Sequence, residues 1–521
     1  MNSILRISGL ASGLDTETMI RDLMKVKRIP VDKLKQNKQI MAWKREDLRE
    51  INRSLLSFRS GSAFSIKLQS TFQAKKATST NETIATAEPA TGTPNTTYTI
   101  NISQIAEVAS NTSSAKISAD VNNSVDLDAT LMSQKSKLAG GTFFDTHSNF
   151  SFTLKTYNHD GTSNEQTFSF DANTQSLNDV LTQIGNSSPG LTAFYAKGST
   201  SDGVSLSTTK TGDNNSGGYE IEITDTDGFL ADVLNISQAN EQGGKDATLT
   251  INGMDVVEHT NNFTVNGVVF NIHSKTASMA AADAVKITVQ SDADKIFNSI
   301  KTFVDEYNAL IKQISDKLSA ERYRDYLPLT DEQREQLTDT QIEKWEEKAR
   351  SGLLRNNSLL NKIMSDFRTA IASIVSGLPA TINRLSQIGI TTGGYDENGK
   401  LYIDETKLKE AISQNSENIT SLFTQDATSN DAKGIGRQIY DAVSSAINNI
   451  TTEAGNPNSF SLYESDNLSN SIRTIEQRLS TMEKYLAQVE ERYIKQFAAL
   501  ETVINQMNTQ SAWLSQQFST K

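Results

Sequence analysis

The chain has 521 residues, no cysteine, 7 prolines and a formal net charge of −12. That length suggests about three domains, and the missing cysteines exclude disulfide staples and thiolate metal sites. Hydrophobic residues make up 36% and aromatics 7%, a lean core composition that leaves some segments loosely ordered on their own. No run of about 18 apolar residues predicts a membrane-spanning helix. Residues 1–18 lack a basic region followed by a continuous apolar core, so no cleaved secretory signal is expected.

In chain order, Asp15 or Thr16 can cap a helix through Thr18, Ile20, Leu23 and Val26. Pro30 is expected to interrupt or kink it. A second run places Leu34, Met41, Leu48 and Leu55 seven apart, with Ile51 and Phe58 on the same stripe. Residues 1–60 carry 13 Lys and Arg against 7 Asp and Glu. The bases are spread around the helix without an aromatic platform, which favours a solvated face with a polar partner over nucleic acid. The acidic middle of the chain also disfavours nucleic acid.

From about residue 71 to 290 the pattern changes to period two. Thr97-Tyr-Thr-Ile-Asn-Ile, Phe150-Ser-Phe-Thr-Leu, Thr167-Phe-Ser-Phe, Tyr219-Glu-Ile-Glu-Ile and Lys286-Ile-Thr-Val alternate, as strands do. Asp160-Gly161, Asp202-Gly203, Asn252-Gly253 and Asn266-Gly267 read as hairpin turns. A helix is expected over 177–184. Helices return after residue 293, where Ile296, Ile300, Phe303, Val304, Tyr307, Leu310, Ile311 and Ile314 form an amphipathic stripe. A polar helix pair follows over 321–348, then helices over 353–378, 408–422 and 435–450. A hairpin is expected over 388–404, turning at Asp396 to Gly399.

The C-terminal segment carries the strongest periodicity. One heptad position reads Ile472, Leu479, Leu486, Tyr493, Leu500, Met507, Leu514. The other reads Leu468, Ile475, Met482, Val489, Gln496, Val503, Gln510, Gln517. This predicts a coiled coil or bundle helix whose glutamine-rich end stays marginal until a partner covers it. An ordinary long helix packed on its own domain is the alternative. Helices at both termini suggest that the ends meet as a stalk from which the middle projects.

The residues offer little chemistry. His147, His159, His259 and His273 are the only histidines, and none has the helical spacing of a zinc protease. No nucleophile elbow or phosphate-binding loop occurs. Gly9 to Gly13 has small-residue spacing without an apolar helix around it. Asp396-Glu-Asn-Gly399 has its glycine too early for a calcium loop. No catalytic residue, cofactor or metal is expected, and an enzyme is not the reading.

Several segments resemble the flagellar filament cap family, also called flagellar hook-associated protein 2. They are Ile7-Ser-Gly-Leu-Ala-Ser-Gly-Leu-Asp-Thr-Glu-Thr-Met-Ile20, Ser291-Asp-Ala-Asp-Lys-Ile-Phe297, Phe303-Val-Asp-Glu-Tyr-Asn-Ala-Leu310, Ser351-Gly-Leu-Leu-Arg355 and the stretch from Ile388-Gly-Ile-Thr-Thr to Leu408. Residues 248–276 resemble a β module shared with flagellins. Tyr326-Leu-Pro-Leu-Thr-Asp-Glu-Gln333 with Trp345-Glu-Glu-Lys-Ala349 is similar to the Gram-positive branch. The resemblance implies an α+β multidomain chain. Its terminal helices (1–70 and 464–521) would pair as a coiled-coil leg, joined by a helical leg domain with a β-hairpin over 291–463. Small β-rich head domains would be inserted between them: an entry segment over 71–112, a variable domain over 113–244 and a second over 245–290 with 97–112. It also implies a homo-oligomeric ring, a pentamer, at the extracellular tip of the flagellum. The partners implied are flagellin, the hook-filament junction protein and a flagellar export chaperone, with export by the flagellar type III route and no membrane insertion. Another axial protein, or an adhesin using residues 113–244, stays open on the residues alone; adhesion could accompany capping.

Overall fold

The computed structural model describes residues 15–458 and 465–518. The opening Ile7 to Leu14, with the Gly9 to Gly13 spacing, lies outside them. The chain divides into a helical unit (residues 1–72 and 293–521) and a β unit (73–292).

The helical unit begins with α1 (Thr16–Ser60), 45 residues long. Asp15 caps it, its Oδ1 accepting from Thr18 N at 2.9 Å, which satisfies one of the orphan donors of the first turn. Of the interruption or kink expected at Pro30, the interruption does not occur: the helix runs through it. A proline inside a helix costs about 3 kcal/mol, so contacts elsewhere must compensate. Two short helices follow, α2 (Ser62–Ile66) and α3 (Gln69–Phe72).

The β unit contains β1 (Lys75–Ser79), β2 (Ala85–Pro89), β3 (Thr96–Gln104), β4 (Val108–Thr112), β5 (Asn149–Tyr157), β6 (Ser163–Asp171), α4 (Leu177–Gly185), β7 (Leu191–Lys197), β8 (Asp202–Thr211), β9 (Ile221–Thr224), β10 (Glu241–Gln242), β11 (Ala247–Ile251), β12 (Met254–Glu258), β13 (Asn262–Val265), β14 (Val268–Ile272) and β15 (Val285–Ser291). Two sheets, ordered β1-β15-β3-β11-β12 and β13-β14-β2, enclose a core of Ile100, Leu249, Phe270 and Ile287. Two others, β10-β4-β8-β7 and β6-β5-β9, enclose a second core rich in phenylalanine: Phe150, Phe152, Phe168, Phe170 and Phe229. The 71–112 stretch therefore supplies strands to both. Asn252-Gly253 and Asn266-Gly267 do turn two hairpins, with all four residues at positive φ, as mirror-image turns require.

Asp202-Gly203 is not a turn but the start of β8. The Asp202 carboxylate is buried and accepts from Ser118 N at 3.1 Å and from Tyr195 OH at 2.7 Å. A Cβ on Gly203 would meet Ser113 Cβ at 2.9 Å, so glycine here allows a close approach rather than a reversal. Near the second core, Glu241 Oε1 accepts from Glu220 N at 2.7 Å. Burial, followed by the adjacent Glu220 carboxyl, pushes Glu241 up to about 7.

The chain enters and leaves the second core at one place. Glu107 and Lys245 exchange backbone hydrogen bonds of 2.8 and 3.1 Å, and Lys245 Nζ lies 2.7 Å from Glu107 Oε2. Next to them, Glu241 and Gln242 pair with Asn111 and Ser110.

The helical unit resumes with α5 (Ala293–Ser319), α6 (Asp331–Glu335), α7 (Asp339–Arg350), α8 (Ser358–Ala372), the hairpin of β16 (Ile390–Thr392) and β17 (Leu401–Ile403), α9 (Glu405–Gln414), α10 (Ser416–Thr424), α11 (Ile435–Ala454) and α12 (Asn467–Phe518). The eight apolar residues of the α5 stripe are all buried. The helix expected over 353–378 is shorter. Asn356 has φ 55° and Asn357 caps α8 through Leu360 N, and the chain is extended again by Ser373. The helix expected over 408–422 is two, divided at Asn415.

Candidate functional site: a helical hairpin

The terminal helices α1 and α12 pack antiparallel. Arg45 Nη1 donates to Ser469 Oγ at 3.0 Å, Lys38 Nζ lies 2.7 Å from Glu476 Oε1, Arg28 Nη2 lies 3.7 Å from Glu490 Oε2, and Thr16 Oγ1 donates to Glu501 Oε1 at 3.4 Å. Between them Met24 and Val31 pack with Ile475, Leu479, Leu486 and Val489. Leu34, Met41, Met482, Tyr493 and Ile20 are half-buried on the same seam. Leu468 is half-buried and Ile472 buried. Leu48 and Leu55 are buried outside this two-helix seam, on the part of α1 that packs on α5 and α11. There the Phe58 ring stacks on Phe303 at 5.7 Å.

The remaining heptad residues are not brought into the seam. Leu500, Val503, Met507 and Leu514 are 48%, 53%, 63% and 47% exposed, and Gln496 and Gln510 are exposed as well. Beyond Tyr493, the half-buried residues are Ile494, Phe497, Glu501 and Ile504. Thr16, at the described start of α1, already lies beside Glu501, so Val503, Met507 and Leu514 run past the described part of α1. A strict seven-residue repeat drifts by about 20° per heptad around a straight helix, so the stripe leaves the seam unless the pair supercoils. Leu486 to Phe497 and Tyr493 to Ile504 are each spaced by eleven, a period that drifts around the helix in the opposite sense to seven. That spacing was the available signal for these residues.

A second apolar set lies outside the heptads. Leu23 and Val26, expected on the first helical run, and Met19, which was not singled out, are 42%, 65% and 44% exposed on α1. At about 100° per residue, they lie roughly a third of a turn from the Met24–Val31 seam. Leu500, Val503, Met507 and Leu514 are turned in the same rotational sense from the Ile475–Tyr493 seam, by a smaller angle. On antiparallel helices the same sense of rotation reaches the same flank. The two sets therefore lie on one flank at the far end of the hairpin.

The opposite flank of α1 is covered. Gln36 Nε2 donates to Pro328 O at 2.8 Å, Lys25 Nζ lies 2.7 Å from Glu332 and Lys35 Nζ lies 2.6 Å from Asp331. Burial raises the Asp32 carboxyl, with Asp331 and Glu332 acting in the same direction. Farther along, Asp47 is buried and its Oδ1 accepts from Lys317 at 3.0 Å and Arg350 at 2.8 Å. Many bases of α1 are thus matched by acids of the same chain. Among the described residues, no group of three or more His, Cys, Asp or Glu could hold a metal. No helix among them is long and apolar enough to cross a membrane.

The family model described as flagellar hook-associated protein 2 N-terminus matches residues 12–109, and the one described as its C-terminus matches residues 244–509. Flagellar hook-associated protein 2 of Halalkalibacterium halodurans is 34% identical over 548 residues, covering 99% of this chain and 100% of the relative. The protein of that name from Thermotoga maritima is 28% identical, over 65% of this chain and 52% of the relative. The one from Salmonella typhimurium is 26% identical, over 53% and 51%. The crystal structure of the flagellar cap protein FliD from Escherichia coli shares the fold, with a TM-score of 0.51 at 18% identity over 82% of this chain and 99% of that one. A relative one-third identical along its whole length, and a C-terminal model spanning half of the chain, lead to one conclusion: the chain belongs to the flagellar hook-associated protein 2 family of filament cap proteins.

Proposed function

We propose that this protein caps the distal tip of the bacterial flagellar filament, prevents loss of exported flagellin and promotes its polymerisation as the filament grows. The observation that carries the reading is a set of exposed apolar residues, Met19, Leu23, Val26, Leu500, Val503, Met507 and Leu514, on one flank at the far end of the hairpin. Clustered exposed apolar side chains mark an interaction surface, and residues at helical spacing fit a helical partner. Terminal helices of flagellin at the filament core are that partner. In this reading the chain acts as a homo-oligomeric ring, a pentamer, outside the cell. It also meets the hook-filament junction protein, and an export chaperone delivers it to the flagellar export route. The role is one of assembly rather than catalysis.

The test is a strain lacking the protein, complemented with the full chain or with a variant lacking residues 472–521. The full chain restores filaments and ends the release of monomeric flagellin. The truncated chain keeps a folded β unit and restores neither. Full-length filaments without any cap protein would sink the proposal.

A secondary adhesive role for residues 113–244 has one supporting feature: Phe194 and Tyr219 are large exposed aromatics. A glycan array on the full chain tests it, and loss of binding in Phe194→Ala with Tyr219→Ala is the expected result.

A further inference from the structure

Pro30 sits in the middle of an unbroken helix, and the segment before and through the start of α6 crosses α1 at that level. Two ion pairs are placed symmetrically. Lys25, five residues before Pro30, meets Glu332; Lys35, five residues after it, meets Asp331. Gln36 Nε2 donates to Pro328 O on the same side, and Leu329 is buried. The segment is itself anchored on α7. Trp345 Nε1 donates to Leu327 O at 2.8 Å, the Tyr326 ring lies 4.6 Å from Trp345, and Arg334 pairs with Glu346. A reciprocal cap between Thr330 and Gln333 fixes the turn that presents Asp331 and Glu332.

We propose that residues 327–333 are an ionic splint across Pro30, holding α1 unbroken at a point where the helix would otherwise open. Pro30 has no N–H to offer the Val26 carbonyl, and its ring crowds that carbonyl. The helix opens most easily there, and proline is the usual site of a sharp kink. A splint attached on both sides must release one half before a bend can form. Each ion pair is solvent-exposed, so each contributes little alone and weakens with salt. The leg hairpin is then a rod with a salt-sensitive hinge. This inference stands on the geometry of the helical unit and does not depend on what the leg binds.

Hydrogen exchange on the full-length chain tests it. Asp331→Lys with Glu332→Lys should speed exchange of amides within residues 23–34 by roughly fivefold to tenfold, with residues 48–58 unchanged. Adding Lys25→Glu and Lys35→Glu should restore the slow rate. Pro30→Ala should remove most of the acceleration. Should the charge variant fail to fold, the wild-type chain moved from about 0.05 M to about 0.5 M salt should show the same local acceleration, again lost in Pro30→Ala. No acceleration in this segment, or the same acceleration with Pro30→Ala, overturns the proposal.

Discussion

The two ends of α1 both carry apolar stripes and meet different surroundings. Toward its C-terminus, Leu48, Ile51, Leu55 and Phe58 are almost completely covered, where α5 and α11 also pack on the helix. Toward its N-terminus, Met24 and Val31 face one helix, and the next apolar residues along, Met19, Leu23 and Val26, face water. The difference teaches that a heptad stripe specifies a face and not the number of neighbours that will cover it. Stability belongs to the end with many neighbours, and an unfilled surface belongs to the other.

Substitutions can break or sharpen this contrast. Leu55→Ala should cost about 3 kcal/mol, the toll of a core cavity, read as a lower urea midpoint of the helical unit. Asp47→Ala should cost about 2 kcal/mol, because Lys317 and Arg350 lose a buried partner yet remain partly in water. Leu486→Ala, in the two-helix seam, should cost about 2 kcal/mol, the low end for a buried leucine; a loss equal to that of Leu55 would erase the distinction.

The β unit supplies a reference of similar size. Because the Glu241 carboxyl is raised in the folded chain, its contribution is greatest below the ordinary glutamate range. It declines by about 1 kcal/mol as pH rises through about 7, after discounting for partial exposure. The urea midpoint of the β unit should therefore fall between pH 5 and 8, and Glu241→Gln should flatten the trend. At the small end, Val503→Ser with Met507→Ser should leave the melting temperature within about 1 °C, while filament growth in a complementation assay fails.

Much of this was legible in the sequence. The caps, the amphipathic stripe of α5, the asparagine-glycine hairpins and the seam from Ile472 to Tyr493 follow from local pattern. What escaped it depended on neighbours. The unbroken passage through Pro30 coincides with contacts from residues some three hundred positions away. Asp202-Gly203 looks like a turn and serves as a buried acceptor beside a close contact. The exposed apolar set on the far end of the hairpin was hidden because Val503, Met507 and Leu514 keep the heptad spacing past Glu501, which already lies beside Thr16 at the described start of α1.

The narrow neck at Glu107 and Lys245 has a consequence for descent. Residues 110–243, the stretch that neither family model matches, leave and return through two strands that are hydrogen-bonded side by side. Whatever lies between them is free to lengthen, shrink or be replaced, provided its two ends come back to that pair. The neck is a socket: the strands outside it meet the same two ends whatever is plugged in between.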